Sequence, residues 1–378
     1  MRALADSFRP YEWAESTESL AARAGVDPVE IVRFDGNVPP LPLPSSRPGA
    51  IAAALADVNT YPHGGYPQIH EAIAEYAGVE PENVVLGAGA DDLILLVARA
   101  FAGPGDVVAI PPAPTYALFR VAAELAGAST EGADPVLTFV CRPGNPYGDL
   151  PPLPDARPLA VDEAYIEYAP GETAVPLLED GVAVIRTFSK AFALAGARIG
   201  YLLADRDTAA ELRARQSPAP VSTLSVALAL AALRNPPDVA PVIEERERLT
   251  TELRALGLEP LPSRANFVFV PTDEAEAIYD RLLARGLVVR KSAGGIRISV
   301  RDRGDDDLLL AALAGEAAPS ARKTRRVRAT AETTVRVRLA LDGGGRVRVA
   351  TGAGLYDHLL EQLAFHGGLD LNVEGSGD

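Results

Sequence analysis

The chain has 378 residues, of which 48% are hydrophobic, and it carries a formal net charge of −15. This acidity argues against nucleic acid as a partner, and no apolar run reaches the ~18 residues of a membrane span. A single cysteine, Cys141, excludes an intramolecular disulfide and fits a reducing compartment. The first residues have neither the basic nor the apolar region of a secretory signal, so we expect a cytoplasmic protein.

Helices and strands alternate along the first part of the chain. Apolar residues recur at helical spacing in IHEAIAEYAG and DDLILLVARAFAG, and each stretch stops at a glycine. Short Val- and Ile-rich runs bounded by Gly, Pro and Asp follow in DVVAIP, DPVLTFV, PLAVDEA and GVAVIRTF. Runs without strict alternation suit strands covered on both faces, so we expect an α/β fold with a mostly parallel sheet. Sites in such folds form at the carboxyl ends of strands.

A second, smaller α+β unit is predicted to end near residue 315. A long charged helix in APVIEERERLTTELRALG precedes the strand NFVFVP, a helix through EAEAIYDRLLARG, and the strands LVVRK and GIRISV. Residues 149–158 contain too many prolines for a crossover helix. The small-residue and basic stretch at 316–324 is typical of a linker.

The tail of the chain has a different pattern. Polar and apolar residues alternate over 327–341 and 346–350, and a Gly-rich hairpin turn is expected between the two stretches. A helix at about 354–366 and a short strand follow. The pattern predicts a partial β-β-α-β half-domain over residues 325–378.

Lys190 is unusual because the chain contains only three lysines among its 36 basic residues. It follows the strand VAVIRTFS, where that strand leaves the sheet. Asp162 ends another apolar strand, Tyr165 lies three residues further on, and Arg198 lies eight residues beyond Lys190. In LGAGADDLILL, small residues directly precede a helix, an arrangement whose backbone N–H groups and dipole accept an anion.

Together these groups suit pyridoxal phosphate. An amine can hold the cofactor covalently, a carboxylate can keep its pyridine nitrogen protonated, and a phenol can hydrogen-bond its ring oxygen. An arginine and a helix N-terminus can bind its phosphate, and an aromatic ring such as Tyr116 can cover its face. Each group also has an ordinary structural alternative, such as a turn residue for Asp162 or a surface charge for Arg198 and Lys190. The ordered set is more specific than its members.

Four stretches carry a resemblance to a known family: DEAYIEY, RTFSKAFALAGARIGY, CRPGNPYG and SRANFVFV…GLVVRK…IRISV. They resemble the histidinol-phosphate aminotransferases over about residues 5 to 315. The resemblance implies fold type I of the PLP-dependent transferases, with a large domain over about 46–238 and a small domain formed by 1–45 with 239–315. It also implies pyridoxal 5'-phosphate as cofactor and a homodimer. The implied reaction transfers an amino group between glutamate and imidazole-acetol phosphate, giving 2-oxoglutarate and L-histidinol phosphate.

The same resemblance implies roles for particular residues. Lys190 matches the Schiff-base lysine, Asp162 the partner of the pyridine nitrogen and Tyr165 the partner of the ring oxygen. The other cofactor contacts that it implies are Asn145 at the ring oxygen, the stacking ring of Tyr116, the phosphate contacts Ala90, Asp91, Ser189 and Arg198, and Tyr61, which matches a tyrosine that reaches the neighbouring subunit's cofactor. The substrate contacts that it implies are Arg297, Arg290 and Tyr11. No metal site is expected.

Departures from the family leave substrate choice open. The family's Asn-Pro-Thr-Gly is Asn-Pro-Tyr-Gly at 145–148, and an expected tyrosine is Ala219. The chain between Tyr116 and Asn145 is shorter than in the family, so a strand or helix is expected to be missing. One alternative is a fold type I enzyme for another substrate, such as an aromatic amino acid aminotransferase or a phosphothreonine decarboxylase. The other is a catalytically inactive structural protein.

The tail resembles the start of imidazoleglycerol-phosphate dehydratase, a lyase, through Arg328, Thr330, Glu332, Thr333, TGAGLYDHLL and FHGG. The resemblance implies His358 as one ligand of a manganese site, with Glu332 and His366 near the substrate. The chain stops at Asp378, before the family's paired-histidine motif, so we expect a truncated, loosely attached half-domain without dehydratase activity. Because the dehydratase makes imidazole-acetol phosphate, both resemblances indicate histidine biosynthesis and a fusion of two enzymes of that pathway.

Overall fold

The computed structural model describes residues 8–11, 13–39, 54–56, 58–62, 64–316, 323–330, 332–341 and 347–377. Its strands are β1 (Val32–Arg33), β2 (Val84–Gly87), β3 (Val108–Ala109), β4 (Leu137–Cys141), β5 (Leu159–Asp162), β6 (Val182–Thr187), β7 (Gly200–Leu203), β8 (Phe267–Pro271), β9 (Leu287–Val288), β10 (Arg290–Ser292), β11 (Gly295–Ser299), β12 (Lys323–Ala329), β13 (Thr333–Ala340), β14 (Val347–Ala350) and β15 (Asp370–Gly377). Its α-helices are α1 (Thr17–Ala24), α2 (Pro67–Ala77), α3 (Ala90–Phe101), α4 (Leu118–Ala126), α5 (Arg206–Ala214), α6 (Thr223–Leu233), α7 (Ala240–Ala255), α8 (Ala275–Leu283), α9 (Arg303–Leu313) and α10 (Gly354–Gly367).

The described residues fall into two compact units. Unit 1 comprises the chain up to Trp13, Phe34–Ala275 and Val289–Asp302, and unit 2 comprises Ala14–Arg33, Glu276–Val288 and Arg303–Asp378. The domain boundaries predicted from the sequence stay a prediction. The predicted linker at 316–324 lies largely outside the described residues.

Unit 1 is built on a six-stranded sheet in the order β2-β7-β6-β5-β4-β3. Strands β3 to β6 pair in parallel, and β7 runs antiparallel to both of its neighbours, β2 and β6. The predicted α/β fold with a mostly parallel sheet is therefore confirmed. Residues 142–158 connect β4 to β5 without a helix, and this segment includes the proline-rich residues 149–158 for which no crossover helix was predicted.

Both faces of this sheet are buried, which explains why its strands do not alternate in polarity. On one face Leu93 and Phe119, from α3 and α4, belong to one hydrophobic cluster with strand residues such as Ile185. On the other face α2 and α6 contribute to a second cluster with strand residues such as Val184. The last residues of β5 and β6 consequently lie in an apolar environment on both sides. A charged group at those strand ends is held away from water.

Unit 1 also contains a three-stranded antiparallel sheet in the order β10-β11-β8. In its register Arg290 lies opposite Arg297, and Ile296 lies opposite Val270. Val300 donates its backbone N–H to the carbonyl of Asn266 at 2.9 Å, which extends the pairing beyond β11. This sheet supplies Arg297 and Arg290 to the candidate site described below.

Unit 2 contains helices α1, α8 and α9, the parallel pair of β1 with β9, and the tail. The tail is a four-stranded sheet in the order β12-β13-β15-β14 with α10 against it. Its core is its own, because Ala364, Leu371 and Val373 cluster with apolar residues of the tail strands and of α10. The opposite face of α10 is also apolar, and its exposed residues are Leu355, Tyr356, Leu359, Leu363 and Phe365.

The tail has one strand more than the sequence predicted, giving β-β-β-α-β in place of β-β-α-β. The alternating stretch at 327–341 is not one strand, because the chain turns after Thr330, whose hydroxyl accepts the N–H of Thr333 at 3.0 Å. The predicted hairpin with the next stretch is also wrong. Strands β13 and β14 both pair with β15, antiparallel and parallel respectively, because α10 provides the crossover that a parallel pair needs. The predicted glycine turn at 342–345 lies outside the described residues.

Gly200 allows three backbone segments of unit 1 to approach one another. A Cβ at this position would lie 2.8 Å from the carbonyl oxygen of Arg186, 2.9 Å from the amide nitrogen of Ala90 and 2.9 Å from the carbonyl carbon of Gly89. Real Cβ atoms essentially never come so close to backbone atoms, and none of the three can rotate away. Gly200 therefore sets the distance between β7, the end of β6 and the start of α3.

We expect Gly200→Ala to destabilise the protein by about 1–3 kcal/mol, because the added methyl must displace backbone on two sides. The matched control is Gly196→Ala, since a Cβ at Gly196 meets no atom within 4 Å. The control should change the free energy of unfolding by less than about 0.5 kcal/mol. Urea unfolding of both variants measures the difference, and equal stabilities would contradict the close approach.

Candidate active site

Asp162 and Lys190 lie at the carboxyl ends of neighbouring strands, as predicted. The side chain of Asp162 at the end of β5 is buried, and its Oδ1 accepts the N–H of Ala164 at 3.1 Å. Burial raises the pKa of the Asp162 carboxyl to about 7. Lys190 follows β6, and its Nζ donates to the carbonyl of Gly36 at 3.3 Å. Burial, and then the charge of Arg297, lowers the pKa of the Lys190 amine to about 8.

The start of α3 forms a cradle of backbone N–H groups without a side-chain cap. No side chain caps this helix, and its N-cap, Gly89, has φ 89°, a conformation that favours glycine. Arg198 lies close to this helix start: its Nη2 is 2.8 Å from Oδ2 of Asp91 and 3.3 Å from the carbonyl of Ala88. Uncapped N–H groups, the helix dipole and a guanidinium together favour a phosphate-sized anion.

Two tyrosines lie next to this cradle. The hydroxyl of Tyr116 donates to Oδ1 of Asp91 at 2.7 Å, and burial raises the pKa of its phenol well above the usual value. The ring of Tyr11 meets that of Tyr116 edge to face, with centroids 6.1 Å apart. Ser189 directly precedes Lys190, and its N–H donates to the Thr187 hydroxyl at 3.1 Å.

A second group of residues surrounds Tyr165. Its hydroxyl accepts from Nδ2 of Asn37 at 3.1 Å, and Nζ of Lys190 lies 5.6 Å from its ring centroid. The guanidinium of Arg297 lies over the ring of Phe267 at 5.3 Å, and Phe267 also meets Tyr165 edge to face. The Lys190 amine and the Arg297 guanidinium thus lie near the adjoining rings of Tyr165 and Phe267.

Arg297 is buried and already oriented by two hydrogen bonds. Its Nη1 donates to Oδ1 of Asn145 and its Nη2 to the carbonyl of Asp35, each at 2.7 Å. Within the described part of the chain its buried Nε has no hydrogen-bond partner. Burial, and the charge of Arg290 opposite it in the sheet, lowers the pKa of the Arg297 guanidinium. A buried cation with an unused donor is suited to bind an anionic ligand.

The structure thus brings together Lys190, Tyr165, Arg297 and Asn145, and separately Asp91, Arg198 and Tyr116 at the start of α3. The side chain of Tyr61 is 82% exposed. Tyr147, one of the departures from the family, lies against Phe269 edge to face with centroids 4.9 Å apart, so its ring has a packing role.

Sequence analysis missed two sets of residues. The first is the segment 35–37, which gives backbone carbonyls to Arg297 and Lys190 and the Asn37 side chain to Tyr165. Its only signal was a Gly-Asn pair before prolines. The second is the buried ion pair between Arg186 Nε and Oε2 of Glu163, the residue after Asp162, with a distance of 3.0 Å. The Thr173 hydroxyl donates to Glu163 and accepts from Arg186.

The described residues contain no group of three or more His, Cys, Asp or Glu side chains that could hold a metal ion. None of the helices described above is long and apolar enough to cross a membrane.

Comparison with known proteins shows the protein family to which the chain belongs. The sequence pattern of the family "Aminotransferase class I and II" matches residues 30–132 and 128–313, and the chain belongs to this family. Within it, the chain is similar to the histidinol-phosphate aminotransferase of Thermoanaerobacter pseudethanolicus, at 33% identity over 74% of this chain and 91% of the relative. It is also similar to that of Thermococcus gammatolerans, at 33% identity over 82% of this chain and 95% of the relative.

A solved structure gives the same result. The histidinol-phosphate aminotransferase of Sinorhizobium meliloti in complex with pyridoxal-5'-phosphate superposes with a TM-score of 0.70 at 29% identity, covering 82% of this chain and 97% of that one. A Thermus thermophilus aspartate aminotransferase variant shares the fold, with a TM-score of 0.65. The fold type I architecture predicted from the sequence is confirmed.

The buried carboxyl of Asp162 predicts a pH-dependent stability. In the cofactor-free protein, we expect Asp162→Asn to raise the free energy of unfolding at pH 8 by on the order of 2–4 kcal/mol. The folded-state pKa of Asp162, about 7, lies above its unfolded value. The wild-type protein therefore loses stability as the pH rises through about 7, whereas asparagine does not titrate. The gain should shrink towards zero near pH 4.

Urea unfolding between pH 4 and pH 8 measures this difference. Asp155→Asn serves as the control, because Asp155 is exposed and a charge in water should have little effect. An Asp162→Asn variant that was no more stable than the wild-type protein at pH 8 would refute the buried-charge cost.

Proposed function

We propose that this chain is a pyridoxal 5'-phosphate-dependent histidinol-phosphate aminotransferase. It transfers an amino group between glutamate and imidazole-acetol phosphate, giving 2-oxoglutarate and L-histidinol phosphate in histidine biosynthesis. The observation that carries the proposal is that Lys190 and the buried Asp162 follow adjacent strands, near the uncapped start of α3. The similarity to histidinol-phosphate aminotransferases supports the choice of substrate.

The described residues fit the cofactor at each of its polar groups. Lys190 would hold it covalently, and Asp162 would hold its pyridine nitrogen in the protonated form. The amides of Ala90 and Asp91, with Arg198 and Ser189, would bind its phosphate. Asn145 and Tyr165 would hydrogen-bond its ring oxygen, and Tyr116 would cover its ring. When bound, the cofactor supplies an electron sink for charge that develops at the substrate carbon.

The lowered pKa of Lys190 suits proton transfer. With a pKa of about 8, its amine is unprotonated, and so able to accept a proton, in part of the molecules near neutral pH. Once substrate has displaced it, Lys190 would carry a proton between the substrate Cα and the cofactor carbon. The Gly36 carbonyl, 3.3 Å from Nζ, holds the amine on the side of the segment 35–37.

Arg297 is the proposed anchor for the anionic end of the substrate. Its planar fork can bind the carboxylate of glutamate in one half-reaction and the phosphate of histidinol phosphate in the other. Its buried Nε is unpaired among the described residues, so it can gain a bond when an anion enters. Arg290 and Tyr11 would lie near the substrate phosphate.

A half-reaction assay tests the proposal. We expect the cofactor-loaded enzyme to lose the absorbance of its Lys190-linked cofactor on mixing with histidinol phosphate, with kcat/KM about 10²-fold above that for phenylalanine. Lys190→Ala should lose both the linked absorbance and at least about 10²-fold in turnover. A preference for phenylalanine, or release of CO₂ from phosphothreonine, would contradict the substrate. A protein that gained no absorbance from the cofactor would be catalytically inactive.

The proposal extends to a cytoplasmic homodimer. Tyr61 is an exposed aromatic residue of unit 1, and in the related enzymes we expect its counterpart to reach the neighbouring subunit's cofactor phosphate. A second copy would complete the phosphate site in this way. The single cysteine fits a reducing cytoplasm.

We also propose that residues 323–377 are a half-domain related to imidazoleglycerol-phosphate dehydratase, fused to the aminotransferase. Its β-β-β-α-β order, with a core of its own, supports an independent module. Every proposed cofactor and substrate residue lies in unit 1, whereas the tail lies in unit 2.

Ending the chain at residue 315 is therefore expected to leave the dimer, cofactor affinity and kcat for histidinol phosphate within about twofold of the full chain, because no proposed site residue is removed. Sedimentation and the half-reaction assay measure these properties. Loss of the dimer or of the cofactor would show that the tail is part of the aminotransferase fold.

A further inference from the structure

Asn37 has an unusual backbone conformation. Its φ is 51°, in the left-handed region that side chains other than those of Asn and Asp rarely adopt, and its side chain is 1% exposed. The residue is held from two directions: Nδ2 of Asn266 donates to its carbonyl at 3.0 Å, and its own N–H donates to the Ser299 hydroxyl at 2.8 Å. A strained and fully buried amide is commonly found where orientation matters.

The hydrogen bonds around Asn37 fix the direction of its side-chain amide. Because Ser299 Oγ accepts the Asn37 N–H, its own hydrogen points elsewhere, and it donates to Oδ1 of Asn37 at 2.8 Å. The reverse orientation would place the amide NH₂ against Ser299 and deprive that buried hydroxyl hydrogen of this acceptor. The NH₂ group therefore faces Tyr165, and it lies 3.1 Å from the phenol oxygen.

This direction determines what the phenol can do. Nδ2 of Asn37 has no lone pair, so Tyr165 can only accept from it and its hydrogen must point elsewhere. We infer that Asn37, oriented by Ser299, is a positioning residue that keeps Tyr165 a hydrogen-bond donor toward the ring oxygen of the cofactor. The inference rests on the proposed function, because it assumes the cofactor partner given to Tyr165 above.

Other groups around the phenol do not supply this direction. Arg297 and the Lys190 amine carry hydrogens and can only donate when charged. Asp162 acts on Tyr165 through its charge when it is ionised, and the Cys141 thiol contacts Oδ2 of Asp162 at 3.9 Å. Neither group is hydrogen-bonded to the phenol in the described part of the chain. Asn37 is thus the residue whose replacement reverses the phenol hydrogen bond with the least change in shape.

Asn37→Asp is the sharpest variant. Aspartate has the same size and tolerates the left-handed conformation, but when ionised its carboxylate can only accept, so Tyr165 must then donate to it. The ring oxygen then loses its donor, and its negative charge holds the proton of the neighbouring Lys190–cofactor nitrogen more tightly. The pH at which the absorbance of the linked cofactor titrates should rise by about one unit, as in Tyr165→Phe.

The experiment is an absorbance titration of the holoenzyme, from pH 5 to pH 10, of the wild-type protein, Asn37→Asp, Tyr165→Phe and the double variant. The double variant should shift by less than the sum of the two single variants, because both remove the same hydrogen bond. Ser299→Ala, which frees the amide to turn, should give a smaller shift in the same direction. Asn83→Asp is the matched control: its amide donates to the Ala204 carbonyl at 2.8 Å, and its titration should equal that of the wild-type protein.

The outcomes separate the two ideas. A shift in Tyr165→Phe with none in Asn37→Asp and Ser299→Ala overturns the inference and leaves the proposed function standing. Additive shifts in the double variant overturn it as well, since Asn37 would then act through another group. A wild-type protein without absorbance from a linked cofactor overturns the proposed function and the inference together. A loss of thermal stability without a change in the titration shows a purely structural residue and also overturns the inference.

Discussion

The burial of ionisable groups at strand ends is the constraint on which the site depends. Strands β5 and β6 are covered on both faces, so a carboxyl or an amine that follows them meets apolar surroundings at the edge of the sheet. Burial then moves the pKa of Asp162 up to about 7 and that of Lys190 down to about 8. The two groups approach each other in proton affinity, and a small change in their surroundings can decide which of them carries a proton.

The neighbouring residue Glu163 shows how the same fold accommodates a buried carboxyl that has several hydrogen-bond donors. Its carboxylate is buried, but it accepts hydrogen bonds from Arg186, the Thr173 hydroxyl and the N–H of Ala174. Asp162 has a single backbone donor and no such guanidinium. The two consecutive carboxyl groups thus differ: Glu163 joins β5, β6 and the loop at 173, whereas Asp162 has only the N–H of Ala164 and the Cys141 thiol as donors among the described residues.

The sequence indicated the parts of this site that belong to strand and helix ends. Apolar runs located β5 and β6, and glycines located the start of α3, because these features follow from local periodicity and backbone freedom. It could not indicate the role of Asn37, which depends on a left-handed backbone and on Ser299, 262 positions away. Asp35 and Gly36 contribute through their backbone carbonyls, which every residue has, so the sequence could not single them out. The extra tail strand was missed because its alternation continues across the turn at Thr330.

Gly200 restricts how this chain can change over generations. Every single-nucleotide change that replaces a glycine codon with another amino acid introduces a Cβ, and at this position a Cβ would meet three backbone atoms within 2.9 Å. No amino-acid replacement reachable in one mutational step is therefore free of collision. Only synonymous change is neutral here, unless a second mutation first moves the start of α3 away from β7. The packing that holds the start of α3 against β7 also restricts position 200 to glycine.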